Sequence, residues 1–247
     1  MKKVLVLLSV LAFVSCPVVA ADPFDNFNTI VVLGGDVAQK SLDNLATDLG
    51  ALLGGGTYHD GKSLGIPGFD IGIHVPTKKV SDDNVIVKES DVSSVALPMA
   101  QLEIGLPMDI DLIARYSSML DSTLTGFGLR YGILKPDLPG LPSLSLQAVM
   151  TNLDVAANDN KFKASTTGVS LTISFNHLPI VTPYAGVGYD TTEIKPDSTL
   201  STLKGTASGT RVEAGVNLGL LPFTYLQLGA AMAGGSTDAV IGLGVQF

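Results

Sequence analysis

From Ile66 to Phe247 the apolar residues recur at every second position, and this two-residue period constrains the fold more than any other feature of the chain. Phe69, Ile71, Ile73 and Val75 alternate with Asp70, Gly72 and His74. The pattern returns at Ile110, Leu112, Ala114 and Tyr116, then at Phe127, Leu129, Tyr131 and Ile133. It returns again at Val169, Leu171, Ile173 and Phe175, at Val212, Ala214, Val216 and Leu218, and at Ile241, Leu243, Val245 and Phe247. Successive side chains of a strand point to opposite faces, so each run is a strand with one apolar face and one polar or glycine face.

The turns carry a longer period. Apolar-Pro turns at Pro67, Pro107, Pro142, Pro179 and Pro222 are spaced by 40, 35, 37 and 43 residues. Each interval holds two strands and a polar loop, and ~9–11 residues per strand suffices for a tilted membrane crossing. The loops fall at 77–94, 118–123, 154–166, 192–209 and 233–237. Ten strands result, near 66–76, 95–104, 109–117, 124–134, 143–153, 167–176, 181–191, 210–220, 223–232 and 238–247. The expected fold class is all-β, an antiparallel transmembrane β-barrel of about ten strands. Its short turns lie at one end and its long loops at the other, as in outer-membrane barrels. The uncharged stretch 214–237 also has the length of a membrane helix, but five glycines and a central Pro222 make it a hairpin.

The first 65 residues follow other rules. Met1-Lys2-Lys3 and the 11-residue apolar stretch 4–14 form the basic and apolar parts of a signal peptide, with small residues for cleavage after Ala20 or Ala21. The domain reading is therefore 1–21 signal peptide, 22–65 helical segment and 66–247 barrel. A rival reading lipidates Cys16, which Phe13 and Pro17 fit poorly. Val37, Leu42, Leu45, Leu49 and Leu52 recur at helical spacing, with Asp36 as N-cap and Gly54-Gly55-Gly56 as the stop. The apolar stripe of this helix needs cover, which the short-turn, periplasmic mouth of the barrel supplies if the helix plugs it.

Charge narrows the function. Lys and Arg number 15 against 23 Asp and Glu, a net −8, and a pI near 4.7 excludes a phosphate-binding basic face. No nucleic-acid partner is expected. One cysteine excludes a disulfide framework or a cysteine zinc site. Arg115, Arg130 and Arg211 occupy strand positions opposite the apolar set, so they face the lumen, where Glu103, Asp111 and Glu213 can pair with them. A lipid-facing charge costs ~2–4 kcal/mol near mid-membrane. This lumen charge cluster reads either as a constriction that selects solutes or as a salt-bridged filling of a narrow barrel. His59, His74 and His177 are far apart in sequence, and His59-Asp60 and His177 read as turn chemistry. Asp82-Asp83-Asn84 lacks the glycine and glutamate of a calcium loop. No catalytic residue, metal or cofactor is assigned.

Gly68-Phe69-Asp70-Ile71, residues 101–107 and Ile113-Ala114-Arg115-Tyr116 resemble, in order, an uncharacterised bacterial family of predicted outer-membrane β-barrels. Residues 126–132 and 183–189 extend the resemblance over about 58–247, and the terminal Phe247 is similar to the signal read by the barrel assembly machinery. The resemblance implies a barrel, outer-membrane lipid and that machinery as partners, and no known substrate. A broader likeness to transporters of hydrophobic compounds with N-terminal helical plugs is one of architecture. The expected function is a narrow or gated outer-membrane passage for small molecules, hydrophobic ones among them. A sealed structural or surface-interaction barrel, a membrane-embedded lipid-modifying enzyme and a soluble lipocalin-like barrel stay open as alternatives.

Overall fold

The computed structural model describes residues 24, 26–88, 92–119, 121–135, 140–157, 160–176, 178, 180–197 and 201–247. The signal peptide at 1–21, Cys16 and His177 lie outside the described residues. Eleven strands are present among the described residues: β1 (Phe69–Lys79), β2 (Ser94–Ala96), β3 (Met99–Gly105), β4 (Ile110–Met119), β5 (Ser122–Leu134) and β6 (Ser143–Ala157), then β7 (Asn160–Ser174), β8 (Val181–Pro196), β9 (Gly205–Leu218), β10 (Thr224–Ala233) and β11 (Ser236–Gln246). All pairings are antiparallel between neighbours, and β11 returns to pair with β1, which closes the sheet. β2 pairs only with the upper end of β1 and continues the stave of β3 across Leu97-Pro98, where proline has no N–H for the ladder. The barrel thus has ten staves.

Strand parity separates two surfaces. Ile71, Ile73, Leu112, Phe127, Leu129, Val169 and Val212 are exposed, whereas Asp70, Glu103, Asp111, Arg130 and Glu213 between them are fully buried. An apolar belt facing outward around a polar interior is the arrangement a bilayer demands, because closure satisfies every backbone group without water. Phe69, Tyr131, Phe175, Phe223 and Phe247 ring the short-turn end of the belt, and Tyr116 and Tyr189 stand towards the other. Phe247 stacks between Phe69 (4.7 Å) and Phe223 (4.6 Å), and its backbone N–H donates to the Phe69 carbonyl at 2.9 Å. The last residue therefore pins the β1–β11 seam.

Several strands outrun their expected ends. β6 and β7 pair from Ser143↔Ser174 to Ala157↔Asn160, and β8 and β9 pair up to Ile194↔Gly205. The polar stretches 154–166 and 192–209 are largely ladder and not loop. Polar side chains there mark where the apolar belt stops, while backbone pairing continues past it.

Two helices occupy the interior end of this taller wall. α1 (Phe27–Leu33) and α2 (Gly35–Gly54) are broken at Gly34-Gly35, both at φ 65°, a left-handed conformation that glycine adopts without a Cβ penalty. Gly34 is the N-cap of α2, and Asp36 lies in its first turn. α3 (Val85–Lys88) is a single turn in the loop after β1. Leu42, Leu45, Leu49, Leu52 and Leu53 of α2 join Leu124, Leu153, Val155, Phe162 and Ile194 of the wall in one buried cluster. Phe27 stacks on Phe162 at 4.6 Å. Val37, expected in the apolar stripe, is exposed. These wall residues belong to the long-loop ends of their strands, so α2 enters the barrel at the long-loop mouth. The expected short-turn mouth is the wrong end. The reason lies in residues 55–64, which run back through the lumen before β1 begins at the short-turn side.

Candidate functional site: the occupied lumen

The inner wall is built from the inward parity of the strands: Ser, Thr, Gln and charged side chains, with glycine wherever another group comes close. Tyr58 of the lumen segment fills the space over Gly186, where a Cβ would stand 2.6 Å from the tyrosine ring. Tyr184 lies over Gly229 and Gly215 in the same way, and Tyr225 over Gly72 and Gly244. The inward glycines are thus sockets for three tyrosines.

The six charged residues expected in the lumen are all buried, in three separate arrangements. Arg130 joins Glu103 (2.7 Å) and Asp111 (2.9 Å), all three at 0% side-chain exposure. Asp111 also accepts from the Leu64 N–H at 3.0 Å, which ties the lumen segment to this pair. Arg211 makes its closest bond to Asp190 at 2.9 Å and stands 3.6 Å from Glu213. Its guanidinium lies 5.2 Å from the centre of the Tyr58 ring. Arg115 departs from the expectation of an acidic partner. It donates to the carbonyls of Leu53 (2.7 Å) and Gly55 (2.8 Å), where a cation meets the negative end of the α2 dipole.

Backbone carbonyls of the segment are taken up in the same manner further down. Gln101 (3.3 Å) and Gln147 (3.0 Å) donate to the Thr57 carbonyl, Gln227 (3.3 Å) to that of Tyr58, and Asn217 (2.7 Å) to that of His59. His59 and His74, remote in sequence, come together with ring centres 5.3 Å apart. His59 lies 3.2 Å from Asp70 and stacks on Tyr225 at 4.4 Å. His74 bonds Gln227 at 2.7 Å, and the Tyr225 hydroxyl donates to Asp70 at 3.0 Å. Reading His59-Asp60 as turn chemistry therefore missed a buried aromatic and imidazole cluster. The inward parity of Asp70, His74 and Gln227 was the available signal.

Little free volume is left beside the segment. A cavity between Thr57, Gln147, Thr151 and Arg211 measures about 10 Å³, room for about one water. Nearer the long-loop mouth, a cleft of about 80 Å³ separates α2 from Thr192, Ala207 and Gly234. These contacts offer paired charges, hydrogen-bond donors and stacked rings.

Residues 85–247 match the model of a family of unknown function, DUF6588. The chain belongs to that family. The matched stretch runs from α3 to the end of the barrel and leaves α1, α2 and the lumen segment outside it. No curated protein matches the sequence. Among solved structures, the COG4313 outer membrane channel from Pseudomonas putida F1 is 12% identical, with 77% of this chain and 100% of that chain covered and a TM-score of 0.48. The N-terminal β-barrel domain of Pseudomonas aeruginosa OprF is 12% identical over 73% of this chain and 98% of its own, with a TM-score of 0.35. Neisserial surface protein A is 15% identical over 72% and 94%, also with a TM-score of 0.35. At these identities the likeness is one of barrel architecture.

Proposed function

We propose that this DUF6588 member is an outer-membrane barrel that gives small hydrophilic solutes a gated passage, closed by its own residues 53–64. The manner in which the segment is held carries this reading. Its carbonyls are bonded by Arg115, Gln101, Gln147, Gln227 and Asn217, so the wall behind it is polar. When the segment leaves, water replaces it as partner to each donor, and the vacated lumen stays wet; an apolar constriction would dewet instead. A polar lining suits hydrophilic solutes better than the hydrophobic cargo of the broader resemblance. His59 and His74 are engaged with Asp70, Tyr225 and Gln227, and the reading gives them a role in closure and none in catalysis.

One observation favours a sealed barrel. The apolar cluster between α2 and the upper wall, with Leu42, Leu45 and Leu53 nearly fully buried, anchors the segment from above. Recordings from the purified full chain in planar bilayers separate the two. The gated reading expects brief discrete openings, and a sealed barrel gives a silent bilayer even with insertion verified.

Export by residues 1–21 and the apolar belt support an outer-membrane location, and Phe247 is the residue proposed to be read during assembly. Its deletion removes two backbone seam bonds to Phe69 and two ring stacks. Loss of the folded, heat-modifiable band is expected, with the exported pool unchanged. Phe247→Ala retains both backbone bonds and separates seam closure from side-chain recognition. Undiminished folded protein in both variants contradicts the role.

A further inference from the structure

The residues that close the lumen are gripped as a ligand is gripped. Five carbonyls, of Leu53, Gly55, Thr57, Tyr58 and His59, accept from side chains on five different strands: Arg115 of β4, Gln101 of β3, Gln147 of β6, Gln227 of β10 and Asn217 of β9. Carbonyl recognition of this kind is blind to sequence. Selectivity enters through what stands at residues 58–61, each in a different setting. The Tyr58 ring sits over Gly186, edge-on to Tyr184 (6.5 Å) and beside the Arg211 guanidinium (5.2 Å). His59 is stacked on Tyr225 and paired with Asp70. Asp60 accepts from Ser174 (2.6 Å) and Asn176 (2.7 Å). Gly61 lies against the β6–β7 wall, where a Cβ would stand 2.8 Å and 2.9 Å from the Thr172 and Ser143 carbonyl oxygens.

We infer that the lumen is a peptide-binding site, filled in cis by residues 53–64, that takes short peptides carrying an aromatic residue followed by histidine, an acidic residue and glycine. The inference rests on the gated reading, because a sealed barrel never vacates the site. The donors then have a second use: an incoming peptide supplies the carbonyls that the withdrawn segment removes, while the Tyr58 and His59 sockets discriminate between peptides. A covalently attached segment competes at an effective concentration of order mM, so a free peptide prevails only where the cis copy is weakened.

The Gly61→Val chain weakens it, since valine at 61 strikes wall backbone. Its current is recorded in planar bilayers while a synthetic peptide with the sequence of residues 53–64, glycine retained at 61, is added. Concentration-dependent closure is expected. Block by the same peptide with both Tyr58→Ala and His59→Ala, or by a Gly-Ser peptide of equal length, should be weaker by at least about tenfold, the loss expected when anchor side chains are truncated. If valine prevents folding, Gly61→Ala, which adds only the clashing carbon, serves for the same comparison. A conducting chain that ignores the peptide, or responds equally to the Gly-Ser control, overturns the peptide site and leaves the gate standing. A folded variant that never conducts overturns both.

Discussion

Replacing Arg130 with leucine is expected to remove about 3–5 kcal/mol of folding stability, the usual cost of leaving a buried ion unpaired. Arg130 is the sole cation within ion-pair distance of Glu103 and Asp111 among the described residues, and none of the three reaches solvent. Leucine restores the volume of the side chain and none of its charge, so two carboxylates are stranded between the wall and residues 55–64. Asp111 also holds the Leu64 N–H, so the damage spreads to the lumen segment. Urea unfolding in detergent micelles measures the loss. Arg130→Lys should recover only part of it, because an ammonium cannot serve both acids in the fork geometry of a guanidinium. Adding Glu103→Gln to Arg130→Leu should recover more. A loss below about 1 kcal/mol would mean that the triad behaves like a surface pair, with water reaching it.

Gly61→Val acts on the closure and spares the barrel. The Cβ at 61 would lie 2.8, 2.9 and 3.0 Å from the Thr172 oxygen, the Ser143 oxygen and the Ser174 nitrogen, all backbone atoms of paired strands. The ten-stave ladder cannot yield to a single side chain, so the segment must move. Overpacking of this kind costs about 1–3 kcal/mol, and here the cost falls on the closed arrangement alone. A shift of that size raises the open fraction by roughly five- to 150-fold. More frequent or longer openings should appear in bilayer recordings, with the folded band on gels retained. Faster proteolysis at residues 55–64 should accompany them. Unchanged recordings in a folded variant would show that Gly61 does not limit the closed state.

Much of the barrel was legible because a membrane wall repeats one rule. Ile71 outward and Asp70 inward, or Leu129 outward and Arg130 inward, is a parity readable from sequence, since each side chain alone reports its face. The inner contacts were less legible, because facing partners come from distant strands. Arg211 and Asp190 are 21 positions apart, and Tyr225 and Asp70 are 155 apart. Arg115 looked like a partner for an acid, and only the course of residues 53–55 gives it two carbonyls instead. The mouth occupied by α2 was misjudged because Leu42 and Leu45 report that cover is needed without reporting where it is. The inward glycines were readable as a small face, but Gly186 and Gly244 acquire meaning only once Tyr58 and Tyr225 lie over them.

A single tether tests whether the N-terminal segment is the gate. A Cβ on Gly50 would stand 3.4 Å from the Cβ of Thr192, close to the ~3.5–4.5 Å separation of a disulfide. Gly50→Cys with Thr192→Cys therefore links α2 to β8 three residues before Leu53, and Cys16, in the expected leader, is the only other cysteine. The current through one preparation, recorded in planar bilayers before and after addition of a reductant, decides the matter. The gated account predicts a silent oxidised barrel that begins to open on reduction and falls silent again on reoxidation. Equal openings in the oxidised and reduced forms would contradict it.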